Sequence, residues 1–241
     1  MPIAAIQTRR LYRQAADQLR RLIQSGEYPA GARLPAERDL ASQLRISRPT
    51  LREALIVLEV EGLVDIRVGS GIYVTNVAST APRLVHAEGV EGPLELLRAR
   101  EFIESAIAAE AAVQATASDI RKLDLVLQSM PSLTKDRDAM VAADRAFHTT
   151  IAAMLGNAVL ERCVGELFDQ RINPYFQRLS AYFEDDSTWR SAASEHRAIR
   201  DAIAAADPQR AKAAMAKHLA ASQERFSANF EEVVSKEEAR T

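Results

Sequence analysis

A chain of 241 residues with 47% hydrophobic content and a formal net charge of −2 is long enough to bury one large or two modest cores, and two is the expectation here. No apolar run is long enough to span a bilayer, and the start, M-P-I-A-A-I-Q-T-R-R, lacks the apolar core of a signal peptide, so a cytoplasmic protein is expected. The single cysteine, Cys163, rules out a disulfide within the chain, and its place beside Leu160, Val164 and Leu167 reads as a small buried hydrophobe.

Leu11, Ala15, Ala16, Leu19, Leu22 and Ile23 recur at helical spacing between Arg9 and Ser25, which predicts a first helix ended by Gly26. Two short amphipathic helices follow, one around Ala36 to Leu44 and one around Arg48 to Glu61, separated by a tight turn through Arg45 and Ile46. Ser47 is placed to cap the second of these, Pro49 falls in its first turn, where a missing N–H costs nothing, and Gly62 stops it. Leu51, Ala54, Leu55 and Leu58 form its apolar face, while Arg48, Thr50 and Arg52 gather towards its N-terminal end, so a core side and a DNA side are both supplied. Leu63 to Val68 and Ile72 to Thr75 read as two strands joined by Gly69-Ser70-Gly71, a tip slim enough to approach a phosphate backbone or a minor groove.

From Leu34 to Val74 the pattern L-P-x-E-R-x-L-A, then S-R-x-T-L-R-x-A-L, then G-x-G-x-x-V resembles the N-terminal winged helix-turn-helix of the GntR family of bacterial transcription regulators. Ala36 departs from it, since many members carry a capping Ser there, a loss of about 0.5 to 2 kcal/mol of helix stability. The resemblance implies that Arg38 and Arg48 approach DNA, that Arg52 presents its guanidinium to a guanine, that Ser47 and Thr50 touch phosphates, and that Gly69 enters the minor groove. Which arginine reads a base and which only grips phosphate stays open. Taken singly, each arginine would read as part of a solvated helix face. Residues 1 to 76, however, hold 11 Arg and no Lys against 8 acidic residues, a net of +3, whereas the remainder carries −5, so the basic footprint is local.

Residues 77 to 92, with Pro82, Gly89 and Gly92 and no sustained periodicity, read as a linker after a DNA-binding domain of residues 1 to 76. From Pro93 the chain is rich in Ala, Leu and Glu, shows no strand alternation, and breaks near Ser118, Pro131, Gly156, Asp185 and Pro208. That predicts a mainly α protein whose second domain, residues 93 to 232, is an all-α antiparallel bundle of six or seven helices, followed by a charged, fraying tail over 233 to 241. The runs Ala202 to Ala206 and Ala211 to Ala216 allow close helix packing.

Asp144 and His148 stand four apart on one predicted helix and project from the same face, so both can reach one metal ion. His196 and His218 lie on two later helices. Spacing alone favours packed or surface side chains for these histidines. The domain is similar to the FCD class of effector domains within the GntR family, and that resemblance implies a divalent ion, zinc with nickel or manganese as alternatives, held by Asp144, His148, His196 and His218. It also gives Arg100 and Glu104 a ligand-binding role, in which the guanidinium holds an effector carboxylate; Arg98, two residues away on another face, is set aside. Arg171 and Asn173 are further candidates to meet ligand hydroxyls. The segment P-L-E-L-L-R-A-R-E-F-I-E-S-A-I-A-A-E-A-A is similar to regulators of hexuronate and related sugar-acid catabolism, although lactate or di- and tricarboxylates would suit the same groups.

These features lead us to expect a dimeric, ligand-responsive repressor of a carbon-catabolic operon that binds a short inverted repeat, with no catalytic residues. Two rivals use the same residues: a hydrolase-like enzyme in which the metal activates water, and an architectural DNA-binding dimer with a structural metal. No recognisable nucleophile motif and no H-E-x-x-H supports the first, and the second leaves Arg100 idle.

Overall fold

The computed structural model describes residues 11–67, 70–75, 92–130, 137–172, 176–178, 180 and 186–238. The described residues divide into two compact units, one within Met1–Gly92 and joined by Asn229–Thr241, the other Pro93–Ala228. No described helix is long and apolar enough to cross a membrane.

In the first unit α1 (Leu11–Gln24) packs on α3 (Arg48–Val60), with α2 (Glu37–Leu44) against α3 as well. Leu19, Leu51, Leu55 and Leu58 are among the residues that fill the space between them. Ser47 caps α3 by accepting from the Thr50 N–H at 3.3 Å. Ala36 gives α2 no side-chain cap, and Glu37 and Asp39 in the first turn offset that loss through the helix dipole. Between the two helices Arg45 takes a left-handed conformation, φ 54° and ψ 42°, and the Ile46 N–H closes back on the Ala41 carbonyl at 3.1 Å. Arg20 reaches from α1 to Glu61 just beyond α3 in a two-pronged ion pair at 2.8 to 3.0 Å.

The wing is an antiparallel pair, β1 (Val64–Arg67) with β2 (Gly71–Val74), in the register Val64↔Val74 to Arg67↔Gly71. Alternation sends Val64, Ile66, Ile72 and Val74 to the core.

The described elements of the second unit are all helical: α4 (Pro93–Gln114), α5 (Ala117–Ser129), α6 (Arg137–Ala153), α7 (Ala158–Asp169), a 3₁₀ turn Gln170–Ile172, α8 (Asp186–Ala204) and α9 (Pro208–Glu238), whose last residues, from Asn229, are grouped with the first unit. Ala108, Ala111, Phe147, Ile151, Ile199 and Met215 lie at its centre, and Ala202 and Ala211 are fully buried, as expected of close-packed alanine faces. The break expected near Ser118 is present, with Thr116 as its capping residue. Thr116 caps the Asp119 N–H while Asp119 Oδ2 accepts the Thr116 N–H at 3.1 Å, a reciprocal box that fixes the start of α5. Cys163, expected in the core, is only half-buried. The tail departs from expectation too: α9 runs to Glu238, because no Pro or Gly after Pro208 interrupts it. The break expected at Pro131 lies outside the described residues, as does most of the 77–92 segment.

Candidate functional site

Asp144 and His148, one turn apart on α6, face inward and meet His196 from α8 and His218 from α9; all four are buried. Each offers a ligand atom, and these atoms all lie within 4.8 Å of one another. Two donors on one zinc-sized ion stand at most about 4 Å apart, so the cluster is of a size that an ion can draw together. Asp144 Oδ1 is 3.2 Å from His196 Nε2 and 3.5 Å from His148 Nε2, and none of these three buried atoms has a hydrogen-bond partner. Left so, each would carry an uncompensated desolvation cost of about 1–3 kcal/mol. A cation that takes all of them at once removes it, and one carboxylate with three imidazoles is a donor set suited to zinc or a similar ion.

The far side of each ligand is fixed by the protein. Glu104 Oε2 lies against His148 Nδ1, and His218 Nδ1 is 2.7 Å from Glu195 Oε2, so both rings present Nε2 to the cluster. Arg171 Nη1 donates to Asp144 Oδ2 at 2.6 Å and leaves Oδ1 turned to the histidines. Burial opposes the charged form of Glu104, but Arg100 and His148 outweigh it and hold the carboxyl down at about 2. Burial likewise opposes the charged form of Asp144, but the adjoining His148 and His196 rings and the Arg171 guanidinium hold it well below the usual range. Burial lowers His196, and it lowers His218 to about 3 with help from the neighbouring His196, so both offer the neutral ring a metal requires. Burial also opposes the charged form of His148, yet Glu104 and Asp144 raise it.

Arg100 continues this chain outward. It is 1% exposed, its Nε donates to Glu104 Oε1 at 2.6 Å, and its Nη2 is buried with no hydrogen-bond partner. Phe168 lies beneath it, 4.5 Å from ring centre to guanidinium carbon, and Arg171 stands 4.9 Å from the same ring. The arrangement is one buried, oriented donor left over beside a metal-type cluster, a place for an anionic oxygen. Asn173 lies outside the described residues.

On the first unit, Arg38 is 74% exposed at the outer face of α2, and Arg48 and Thr50 are half-buried at the start of α3. The Ser47 hydroxyl is 2.8 Å from that of Thr50 as well as capping the helix. Arg52 is placed otherwise than its motif implied: it is 5% exposed, with Nε 2.9 Å from Glu37 Oε1 on α2. Gly69 lies outside the described residues.

The model of the bacterial regulatory proteins of the gntR family matches residues 11–74, and that of the FCD domain matches residues 95–221. The chain belongs to the GntR family. Its relatives include the Exu regulon transcriptional regulator of Escherichia coli, 40% identical over 220 residues that cover 88% of this chain and 82% of that protein. Another is the Uxu operon regulator of Haemophilus influenzae, 34% identical over 218 residues, 87% of this chain and 79% of the other. Among solved structures, that of Lar, described as controlling expression of the Listeria monocytogenes agr system, is 21% identical with a TM-score of 0.50, covers 92% of this chain and 99% of its own, and supports the fold alone. This GntR protein is therefore a transcriptional regulator and not an enzyme. GntR regulators bind DNA operators and are often dimers, and FCD domains can bind metal.

Three participants escaped the sequence reading. Glu37 is fifteen residues from Arg52, on another helix. Glu195 precedes His196 but serves His218 across to α9, and Phe168 on α7 lies under Arg100 of α4. Ile56, one turn after Arg52 and 4% exposed, was the one available sign that this side of α3 turns inward.

Proposed function

We propose that this regulator is a cytoplasmic, homodimeric repressor of a carbon-catabolic operon, whose grip on a short inverted-repeat operator is set by an organic or sugar acid bound at a metal site in the helical domain. Residues 1–76 are the DNA-binding domain, 77–92 the linker, 93–232 the effector domain and 233–241 a charged tail. The observation that carries this reading is the buried, unpartnered Arg100 Nη2, joined through Glu104 to His148 in the four-ligand cluster. Zinc suits the donor set, and when bound it would supply an electrophilic centre for a ligand oxygen. Arg100 would hold the acid's carboxylate, while Glu104 keeps the Arg100 and His148 side chains in register. The kinship to Exu and Uxu regulators favours a hexuronate or related sugar acid over lactate. In the DNA-binding domain, Arg38, Arg48, Ser47, Thr50 and Gly69 are the proposed contacts, with Arg52 joining them on release from Glu37.

The outer face of α4 supports the dimer. Phe102, 82% exposed, and Val113 flank Ala106 and Ala109 at the 4-3-4 spacing of a packing seam. This large-small-small-large order reads alike in both directions, as self-packing about a two-fold axis requires.

The acid must bind one of two conformational populations more tightly, since equal affinity for both would regulate nothing. The test is a thermal-shift screen of zinc-loaded protein against hexuronates, aldonates, hydroxy acids and dicarboxylates, repeated after chelation and followed by operator binding. An acid at 100 times its dissociation constant adds about 2.7 kcal/mol. A shift abolished by chelation, together with release of DNA, is the expected result; an acid response that survives chelation rejects the metal site as the effector site. His148→Ala is expected to strip the metal and the acid response together, and unchanged metal content by elemental analysis rejects the four-ligand assignment.

A further inference from the structure

The outward face of the wing carries two arginines that none of the DNA contacts named above employs. With Val64, Ile66, Ile72 and Val74 in the core, Asp65, Arg67, Gly71 and Tyr73 turn the other way. Residues Ala32 to Leu34 run along the free edge of β2, where the Leu34 N–H donates to the Ile72 carbonyl at 2.8 Å and the Val74 N–H to the Ala32 carbonyl at 2.9 Å. Arg33 is thereby paired with Tyr73 and emerges on the same outward face.

The two guanidinium groups then cross over β2. Arg67, opposite Gly71 in the ladder, folds back so that its guanidinium carbon lies 4.7 Å from the centre of the Tyr73 ring, and its Nε donates to Asp65 Oδ2 at 2.8 Å. Arg33 reaches over Gly71 from the other side. A β-carbon at position 71 would stand 2.5 Å from Arg33 Nε, and φ there is +120°, so the glycine makes room for this arginine as well as for the backbone. Tyr73 is held in turn by its hydroxyl, which donates to the Ser70 carbonyl at 3.1 Å. Arg33 and Arg67 are both exposed, and both lie over one short, packed stretch of strand.

We infer that Arg33 and Arg67 form a two-armed clamp for a backbone phosphate of duplex DNA, on the wing and separate from the contacts of α2 and α3. The inference rests on this chain binding DNA as its family does. A guanidinium stacked on an aromatic ring and oriented by a carboxylate loses less freedom on binding than a free arginine, and its planar fork matches a phosphate. Such a clamp positions the wing and carries no sequence information.

The test uses the full-length protein and two duplexes, one selected by the protein from a random pool and one of random sequence, titrated over a range of salt. Arg33→Ala and Arg67→Ala are each expected to weaken both duplexes about tenfold. The double variant should lower the slope of log affinity against log salt by about 1. Gly71→Ala, which displaces Arg33, should resemble Arg33→Ala, with the acid-dependent melting shift of the helical domain intact. Unchanged affinity and slope in folded double variant overturn the clamp, and so does a loss confined to the selected duplex, which would make these arginines groove readers. If the unsubstituted protein binds neither duplex, it is the DNA-binding premise that fails.

Discussion

Among the described residues each of the two units buries one arginine beside a glutamate, and the pairs differ in how they end. Arg52 and Glu37 join two helices at 2.9 Å and tie α2 to α3. Arg100 and Glu104 stand one turn apart on α4 with a 2.6 Å contact, but the pair is open at both ends: Glu104 goes on to His148, and Arg100 keeps a buried Nη2 without a partner. A buried ion pair is weak evidence of stability in itself, because desolvation offsets much of the attraction. What distinguishes a site from a brace is the group left over after the pair has formed.

The sharpest way to break this contrast is Arg100→Ala, which strands Glu104 in the interior. It is expected to cost about 3–5 kcal/mol of helical-domain stability, read by urea or thermal melting, and to abolish the acid response. The double variant Arg100→Met with Glu104→Gln should recover much of the melting temperature and none of the response. If the response returns with stability, Arg100 is a brace after all.

Arg52→Ala is expected to cost less, about 1–3 kcal/mol, because it takes the buried guanidinium away from the Glu37 carboxylate. Its effect on DNA decides what else this arginine does. Loss of discrimination between selected and random duplexes means that it leaves Glu37 to read a base, whereas equal weakening of both confines it to the brace or a phosphate.

Phe102→Glu should leave melting almost unchanged in the monomer, since the ring is exposed, but halve the mass seen by light scattering; a persistent dimer places the interface elsewhere. The smallest effect belongs to the cap of α5. Thr116→Ala is expected to cost about 1 kcal/mol. Hydrogen bonds from Thr116 hold the Asp119 carboxyl below its ordinary value of 3.8, so the cap contributes fully at neutral pH and is lost as the pH falls through the lowered folded value. Melting of Asp119→Asn should therefore differ from that of the unsubstituted protein at pH 7 and converge with it in acid.

Much of the fold was legible because it is written locally. Ser47 and Pro49 mark the start of α3, Gly62 follows its end, and Leu51, Ala54, Leu55 and Leu58 show its inner face without reference to the rest of the chain. The start of α5 is local as well. Thr116 and Ser118 are both capping residues, and only the acid three places after Thr116 singles out the first. The candidate site was legible in part. Spacing put Asp144 and His148 on one face, but His196 and His218 joined them only by resemblance, because convergence of separate helices has no local signature. Glu195 and Arg171 act on ligands 23 and 27 residues distant, beyond the reach of any periodicity.

The turn between α2 and α3 is built on Arg45 in the left-handed region, where a side chain costs roughly 1–2 kcal/mol that glycine avoids. A cation stands at a place where backbone comfort alone would favour a residue without one. Arg45 thus sets heat tolerance against positive field beside the reading helix, so Arg45→Gly is expected to raise the melting temperature and to weaken the long-range attraction of the domain to DNA.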